Sequence, residues 1–428
     1  MRRKNLSMLI VFLFIGNVSI SYAQEGNNEK DKFFVSAQIR TRGEYRNGAL
    51  YPRNEGDLPS GFINERARLS LGYERQRLSL KFSAQHVGVW GQDALVDKNG
   101  RFILNEAWAA FEFNDYWFMQ LGRQALSYDD ERILGGLDWN VAGRYHDALK
   151  IGYRKNGHQL HGIFAFNQND ENVIGGTFYD SSKTKLYKNM QTLWYHYDFA
   201  STPLQFSIMA MNLGQEGDDA GSRKSDTQYM QTFGTYIKYA PGQWDLSGAF
   251  YYQFGKNVSS RSVSAFMGSA RASYNINKSW SVNVGTDYLS GNDKSDGTYK
   301  AFNPLYGTHH KFYGTMDYFY ASDFIGGYSP GLSDIQIGVG CKVSSSVSME
   351  MNYHYFATAV KLENQERSLG SEIDYLLDWK IMKDVSLSLG YSVMFGTSTM
   401  DVVKGGNHNS WQDWGWISLN INPQIFCK

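Results

Sequence analysis

The chain is poor in proline and cysteine, with seven Pro and two Cys in 428 residues. Scarce proline leaves long stretches free to join hydrogen-bonded ladders, because only proline lacks the backbone N–H. Cys341 and Cys427 fall in mid-strand and at the extreme C-terminus, so no disulfide between them is expected. Net charge is also missing. Forty-two Lys and Arg offset forty-two Asp and Glu, so bulk charge points to no nucleic-acid partner, and any electrostatic function must come from local placement. After the N-terminus there is no run of about eighteen apolar residues, which excludes a transmembrane helix. A membrane protein of this sequence must cross by strands.

The N-terminus points to secretion. Arg2, Arg3 and Lys4 form a basic start, Leu6 to Val18 is mostly apolar, and Ser21-Tyr22-Ala23 precedes Gln24 with small residues at the cleavage positions. This is the pattern of a signal peptide over residues 1–23, leaving 24–428 as the mature domain.

Aromatic residues are abundant: 29 Tyr, 26 Phe and 11 Trp. A mean hydropathy of −0.45 suits a soluble protein, but it also suits a barrel in which only every second strand residue faces lipid. Girdles at the two membrane interfaces would absorb the aromatics. Eight short turn segments recur along the chain: 75–77, 114–115, 156–157, 200–203, 241–242, 277–278, 344–346 and 382–384. They carry turn chemistry, notably Asn156-Gly157 and Pro241-Gly242. Between them lie nine longer polar connections, at 47–61, 91–101, 127–143, 169–186, 214–226, 255–261, 291–331, 359–367 and 397–410. Eight turns joining nine hairpins predict eighteen strands. Val385, Leu387, Leu389, Tyr391, Val393 and Phe395 alternate with small or polar residues, as does Val347 to Tyr355. The expected fold is therefore an all-β, transmembrane antiparallel β-barrel of about eighteen strands, with short periplasmic turns and long extracellular loops. A β-sandwich also shows alternation, but it does not require the secretion signal and the short-turn, long-loop asymmetry together.

The connection 291–331 is unusual. His310 to Tyr320 is aromatic enough for a strand, but a single extra strand would put the 344–346 turn on the wrong side of the membrane. Parity predicts a long external loop with a short structured element, in which Phe312, Met316 and Tyr320 share a helical face. The alternative is an extra strand pair.

Arginines are concentrated in the first hairpin. Arg40, Arg42 and Arg46 share a strand face with Glu44, and Arg66 and Arg68 share one face of the next strand. A charge on the lipid face near the midplane costs about 2–4 kcal/mol, so these side chains are expected in the lumen. There they offer planar forks for carboxylate or phosphate at any physiological pH. The competing reading is that pairs with Glu44, Glu65, Glu106 or Glu112 simply brace the wall.

A second cluster runs Gly122-Arg123-Gln124, Tyr128-Asp129-Asp130-Glu131-Arg132, Asp138-Trp139 and Gly143-Arg144-Tyr145-His146-Asp147. Here the chain resembles the alginate-export family of outer-membrane barrels, whose shared segment reads Gly-Arg-Gln, Tyr-Gly-Asp-x-Arg, a Trp and Gly-Arg. The resemblance implies a monomeric barrel whose arginine-lined constriction passes an anionic polysaccharide. On that basis Arg123, Arg132 and Arg144 are lumen or mouth arginines, while Asp129, Asp130 and Asp138 orient them or offset their charge. Asp129 stands where the family has Gly, which puts its side chain at a position favouring a left-handed backbone. The alternative is an architectural loop tied by Arg–Asp pairs.

Little suggests catalysis. Asn407-His408-Asn409-Ser410 is the nearest approach to a nucleophile beside a base, and it sits in a glycine-flanked loop. No histidine pair has metal-ligand spacing with acidic or thiolate partners, and no phosphate-cradling glycine loop occurs. No cofactor is expected. About ten residues separate Gln24 from the first strand, too few for the plug domain of a siderophore-type receptor. The expected function is passive passage of an anionic or polar polysaccharide across the bacterial outer membrane; the alternative is a general or nutrient-uptake porin, with an outer-membrane hydrolase less favoured. The partners implied are outer-membrane lipid and lipopolysaccharide, the carbohydrate itself, and periplasmic export or uptake proteins.

Overall fold

A computed structural model describes residues 31–92, 102–171, 173–174, 176–217, 226–292 and 297–428. The expected signal peptide and parts of connections 91–101 and 214–226 lie outside these residues.

Among the described residues nineteen strand segments, β1 (Lys32–Asn47) to β19 (Gln424–Cys427), form one antiparallel sheet in which each strand up to β18 pairs with its sequence neighbours. The sheet closes where β1 pairs with β18 (Gln412–Ile421), Ile39 opposite Ile421 and Asn47 opposite Asp413, and with β19, Phe34 opposite Cys427. β18 and β19 are two parts of one stave. They are separated at Asn422-Pro423, where proline has no N–H for the ladder, although its carbonyl still accepts from Ala37 N at 3.1 Å. The barrel thus has eighteen staves, and both described ends lie on the short-turn side.

All eight expected turns join strands. At Asn156-Gly157 both residues take positive φ, 50° and 81°, which matches the twist of the flanking strands in a two-residue hairpin. The two cysteines are free, Cys341 half-buried on β14 (Leu332–Lys342) and Cys427 exposed.

Period-two alternation separates lipid from lumen. On β1, Ile39 and Tyr45 are exposed while Arg42 and Glu44 are buried; on β14 and β15 (Val347–Ala357), Ile335, Ile337 and Tyr353 are exposed while Asp334 and His354 are buried. Exposed aromatics collect at two levels. Phe33, Phe113, Trp117, Trp244, Trp280 and Trp379 lie near the turns, and Tyr45, Trp90, Tyr229, Phe254, Tyr355 and Trp411 near the long loops, as interfacial girdles require.

The hydrophobic core lies inside the barrel. Met190, Trp194, Met209, Met211, Leu213, Tyr251 and Met267 on the lumen face share one buried cluster with Ile133, Leu134, Phe312, Tyr313 and Met316 from two connections. A lumen face of only small and polar residues, legible on β17 (Val385–Gly396), does not hold in this sector. Connection 125–145, between β5 (Trp117–Gln124) and β6 (His146–Lys155), and the described part of 290–331, between β13 (Trp280–Leu289) and β14, fold inward. Full burial of each large apolar side chain is worth roughly 1.5–3 kcal/mol, enough to offset much of the cost of ordering these loops. The expected helical face over 312–320 does not form. Only a 3-10 turn at His309–Lys311 is helical, and Gly314, Asp317 and Tyr320 take positive φ, which breaks any helix and places buried aromatics by successive turns. No extra strand pair is present among the described residues.

Candidate functional site

Connection 125–145 crosses the lumen and is anchored at both ends. At one end its carbonyls meet the arginines of the first hairpin. Arg66 is fully buried and donates to Val141 O (2.6 Å), Asn140 O (2.6 Å) and Asp138 Oδ1 (2.6 Å). Arg40, directly across from Arg66 in the pair of β1 with β2 (Ser60–Arg75), donates to Asp138 O (2.7 Å), Asp138 Oδ2 (3.2 Å) and Asn140 O (3.1 Å). Arg42 donates to Trp139 O (3.0 Å) and lies 4.0 Å over the Trp139 ring. The other face of that ring stacks on His310 at 4.1 Å, and its edge meets Trp414 and Trp416. Desolvation works against the Asp138 charge, but Arg66, Arg40 and Arg68 outweigh it and hold the carboxyl below the usual carboxylate range.

Glu44 is the second anion of this wall. Its carboxylate accepts from Arg42 Nε and Arg46 Nε, each at 2.8 Å, and from Asn64 and Trp414. Arg68 donates to Gln85 Oε1 at 2.8 Å and is only half-buried. Five expected arginines therefore converge on one wall, but to different ends. Arg66 is consumed by the loop, Arg42 by Glu44 and Trp139, while Arg40, Arg46 and Arg68 keep some exposure.

The other end of the crossing is set by Asp129 and Arg132. Asp129 has φ 55°, the left-handed conformation that favours glycine. Its side chain offsets that strain: Oδ1 accepts from Ser207 Oγ (2.5 Å) and Trp194 Nε1 (3.0 Å), reaching β8 (Asn189–Asp198) and β9 (Leu204–Gln215). Burial raises its carboxyl above the ordinary value, partly countered by these two hydrogen bonds. Among the described residues the side-chain partners of Asp129 are Ser207, Trp194 and Tyr251, with no arginine among them. Asp130 accepts from Arg132 Nε at 2.7 Å. Arg132 is buried between Asp130, Asp287 (2.5 Å) and the Phe312 ring, 4.0 Å from its centroid.

Gly122 shows why the motif begins with glycine. Its φ is 119°, and a Cβ there would lie 2.2 Å from Ala107 O of the neighbouring strand. Arg123 pairs with Asp147 (2.8 Å) and lies over Tyr145, away from the five-arginine wall. Arg144 donates to the carbonyls of Tyr306 and, at 2.9 Å, Gly307; burial lowers it to about 10, so it remains charged at neutral pH.

The two inward connections are joined directly. Leu134 and Tyr306 form a parallel bridge, Gly135 N donating to Tyr306 O at 2.9 Å and Tyr306 N to Ile133 O at 3.0 Å. The second connection has its own docking strip on the wall, which sequence reasoning missed. Met316 N donates to Glu372 Oε1 (2.8 Å), Thr315 Oγ1 to Asp374 Oδ1 (2.5 Å), and Tyr318 Oη to Gln412 Oε1 (2.7 Å). Beside it His354 Nδ1 lies 3.0 Å from Asp334. Asp287, Asp334, His354, Glu372 and Asp374 all occupy the lumen phase of their strands. A search for charged residues at that phase would have found them.

A closed eighteen-stave barrel, with apolar girdles outside and polar loops across its lumen, defines an outer-membrane channel. The model of the alginate export family matches residues 35–400, and the chain belongs to that family. In fold it is similar to Pseudomonas aeruginosa OccK9 (OpdG), at 12% identity and a TM-score of 0.62 over 92% of this chain and 98% of that one. P. aeruginosa OccK2 (OpdF) gives 13% identity and a TM-score of 0.62, and Acinetobacter baumannii OccAB4 12% and 0.61, both over 92% of this chain and 98% of theirs. No curated protein sequence matches. Family and fold are those of passive outer-membrane channels.

Proposed function

We propose that the channel gives passive passage to an anionic or polar carbohydrate through a lumen narrowed by the two crossing connections. One observation carries this reading: Arg40, Arg42, Arg46, Arg66 and Arg68 share one wall, where their direct carboxylate partners are Glu44 and Asp138. Cations therefore outnumber anions there. The excess attracts an anionic solute without a single tight site, because the partly accessible Arg40, Arg46 and Arg68 each add a modest, salt-screened interaction. The arginine-lined lumen of the sequence reading becomes narrower in scope: Arg66 and Arg132 are buried and shape the path indirectly.

A second reading, a porin for small solutes, draws support from the joining of the two loops at Leu134 and Tyr306 across the lumen, which favours narrow solutes over a polymer. Reversal potentials in planar bilayers under a potassium chloride gradient test the charge preference shared by both readings for anionic solutes. Anion selectivity is expected, and clear cation selectivity contradicts it.

A further inference from the structure

We propose that a cavity of about 530 Å³ at the long-loop rim binds a neutral saccharide of one or two rings. The proposal rests on the carbohydrate reading for its ligand class and adds where such a ligand is held from outside. The cavity lies between the loop-side ends of β9, β10 (Gln228–Tyr239), β11 (Trp244–Lys256) and β12 (Ser262–Asn275), at Gln215, Met230, Asn257 and Val263, and the connection that crosses the lumen. Its volume falls within the roughly 300–1,000 Å³ of small-ligand sites, which pair apolar walls with a few convergent polar groups.

The apolar walls are aromatic. Tyr299, Phe324 and Tyr328 present rings, and the C–H faces of a pyranose pack on such rings while its hydroxyls seek donors and acceptors. The polar groups are Tyr320 Oη and His309 Nε2, buried atoms that meet no well-aligned hydrogen-bond partner among the described residues, although the Pro304 carbonyl lies beside the His309 ring. Leaving such a group unpaired costs roughly 1–3 kcal/mol, which a ligand hydroxyl would recover. The histidine's role follows from its other nitrogen. Nδ1 lies 2.9 Å from Tyr320 O, a carbonyl that can only accept, so Nδ1 carries the proton and Nε2 is an acceptor. Burial lowers His309 to about 4, so the ring is neutral at pH 7. One acceptor beside one hydroxyl suits the vicinal hydroxyls of a sugar.

Charge selects against an acidic sugar at this position. Among the described lining residues Asp323 is the one charged group, its Oδ2 held by Lys185 Nζ at 2.7 Å. Among the described residues no lysine or arginine lines the cavity, and Lys404, which reaches the lining residues Ser322 and Asp323, has its ammonium committed to their oxygens, 2.7 Å from Ser322 Oγ and 2.8 Å from Asp323 O. His309 and Tyr320 also bracket the segment whose Met316, Tyr318 and Phe319 are buried in the lumen, so a ligand here grips the constricting loop itself.

The test uses the full-length protein in detergent, with maltose and cellobiose as neutral probes and a disaccharide of uronic acids as the charged one, read by titration calorimetry. The neutral probes should bind, the charged one more weakly, and Tyr320→Phe and Tyr299→Ala should each weaken neutral binding about tenfold, the loss expected for one hydrogen bond or one stacking face. Single-channel conductance should be unchanged in both variants, which verifies folding. Neutral binding unaltered in both variants overturns the site, as does no binding by a normally conducting protein at up to about 100 mM. Rim binding retained without current block by longer oligosaccharides contradicts the carbohydrate-channel reading alone; block retained without rim binding contradicts the site alone.

Discussion

The His310 ring lies on the Trp139 ring at 4.1 Å, with 7° between their planes, and this contact locks together the two connections that cross the lumen. Trp139 is the centre of the constriction: Arg42 covers its second face, and Trp414 and Trp416 meet its edge.

Trp139→Ala should therefore loosen the constriction without opening the barrel wall, since Trp139 belongs to no strand. Loss of a packed tryptophan costs about 3–5 kcal/mol in a core, here charged to loop docking. Single-channel conductance should rise while the barrel keeps its heat-modifiable migration on gels. Unchanged conductance would show that the path avoids this junction.

Charge changes on the arginine wall should act in opposite directions. Arg40→Ala combined with Arg68→Ala removes two partly exposed cations and should lower anion preference. Asp138→Asn removes the carboxylate that neutralises Arg40 and Arg66 and should raise it, an effect that shrinks at high salt. Arg66→Ala should affect the loop first, because Arg66 is buried and its loss takes the side-chain donor from Val141 O and the shorter of two arginine bonds from Asn140 O. Faster hydrogen exchange at 138–143 would register that loss. Selectivity changes of the same sign for Asp138→Asn and the arginine pair would contradict the electrostatic account.

Acid should release the second connection. His309 is lowered from 6.5 to about 4 by burial, with Arg144 adding to the shift. The undocked loop therefore takes up a proton at a higher pH than the docked one. Docking is fully stable above about pH 6.5, weakens as pH falls through that window and levels off below about 4. At roughly 1.4 kcal/mol per pH unit the effect reaches about 3 kcal/mol at most. Conductance should rise as pH falls from 7 to 4, and His309→Gln should flatten the rise. An equal rise in that variant would show that His309 is not the group responsible.

The strands were legible because membrane strands alternate at period two and hairpin turns are written in Asn, Gly and Pro. Those signals are local, and every turn from 75–77 to 382–384 stands where they put it. Arg40 and Arg66 could be assigned to the lumen from the same alternation. Their occupation by the carbonyls of residues 138–141 could not, because an inward loop has no periodicity and its partners lie on distant strands. Tertiary contact explains the misread face of 312–320: Met316 docks on Glu372, Tyr318 on Gln412 and Phe319 on Phe356, so the aromatics are placed by distant strands and not by a helix. Asp129 shows the same limit. The position reads as glycine-like from backbone demand alone, and only Ser207 and Trp194, far along the chain, reveal why aspartate is accommodated.

The central claim, passage of an anionic or polar carbohydrate, is tested most directly by current block in planar bilayers with uronic-acid oligosaccharides of increasing length. A channel of this kind predicts brief blocks that lengthen with chain length and weaken at high salt, since several arginines each contribute a screened contact. Free permeation by monomers, with no length-dependent block by longer chains, would contradict polysaccharide passage and leave the small-solute porin.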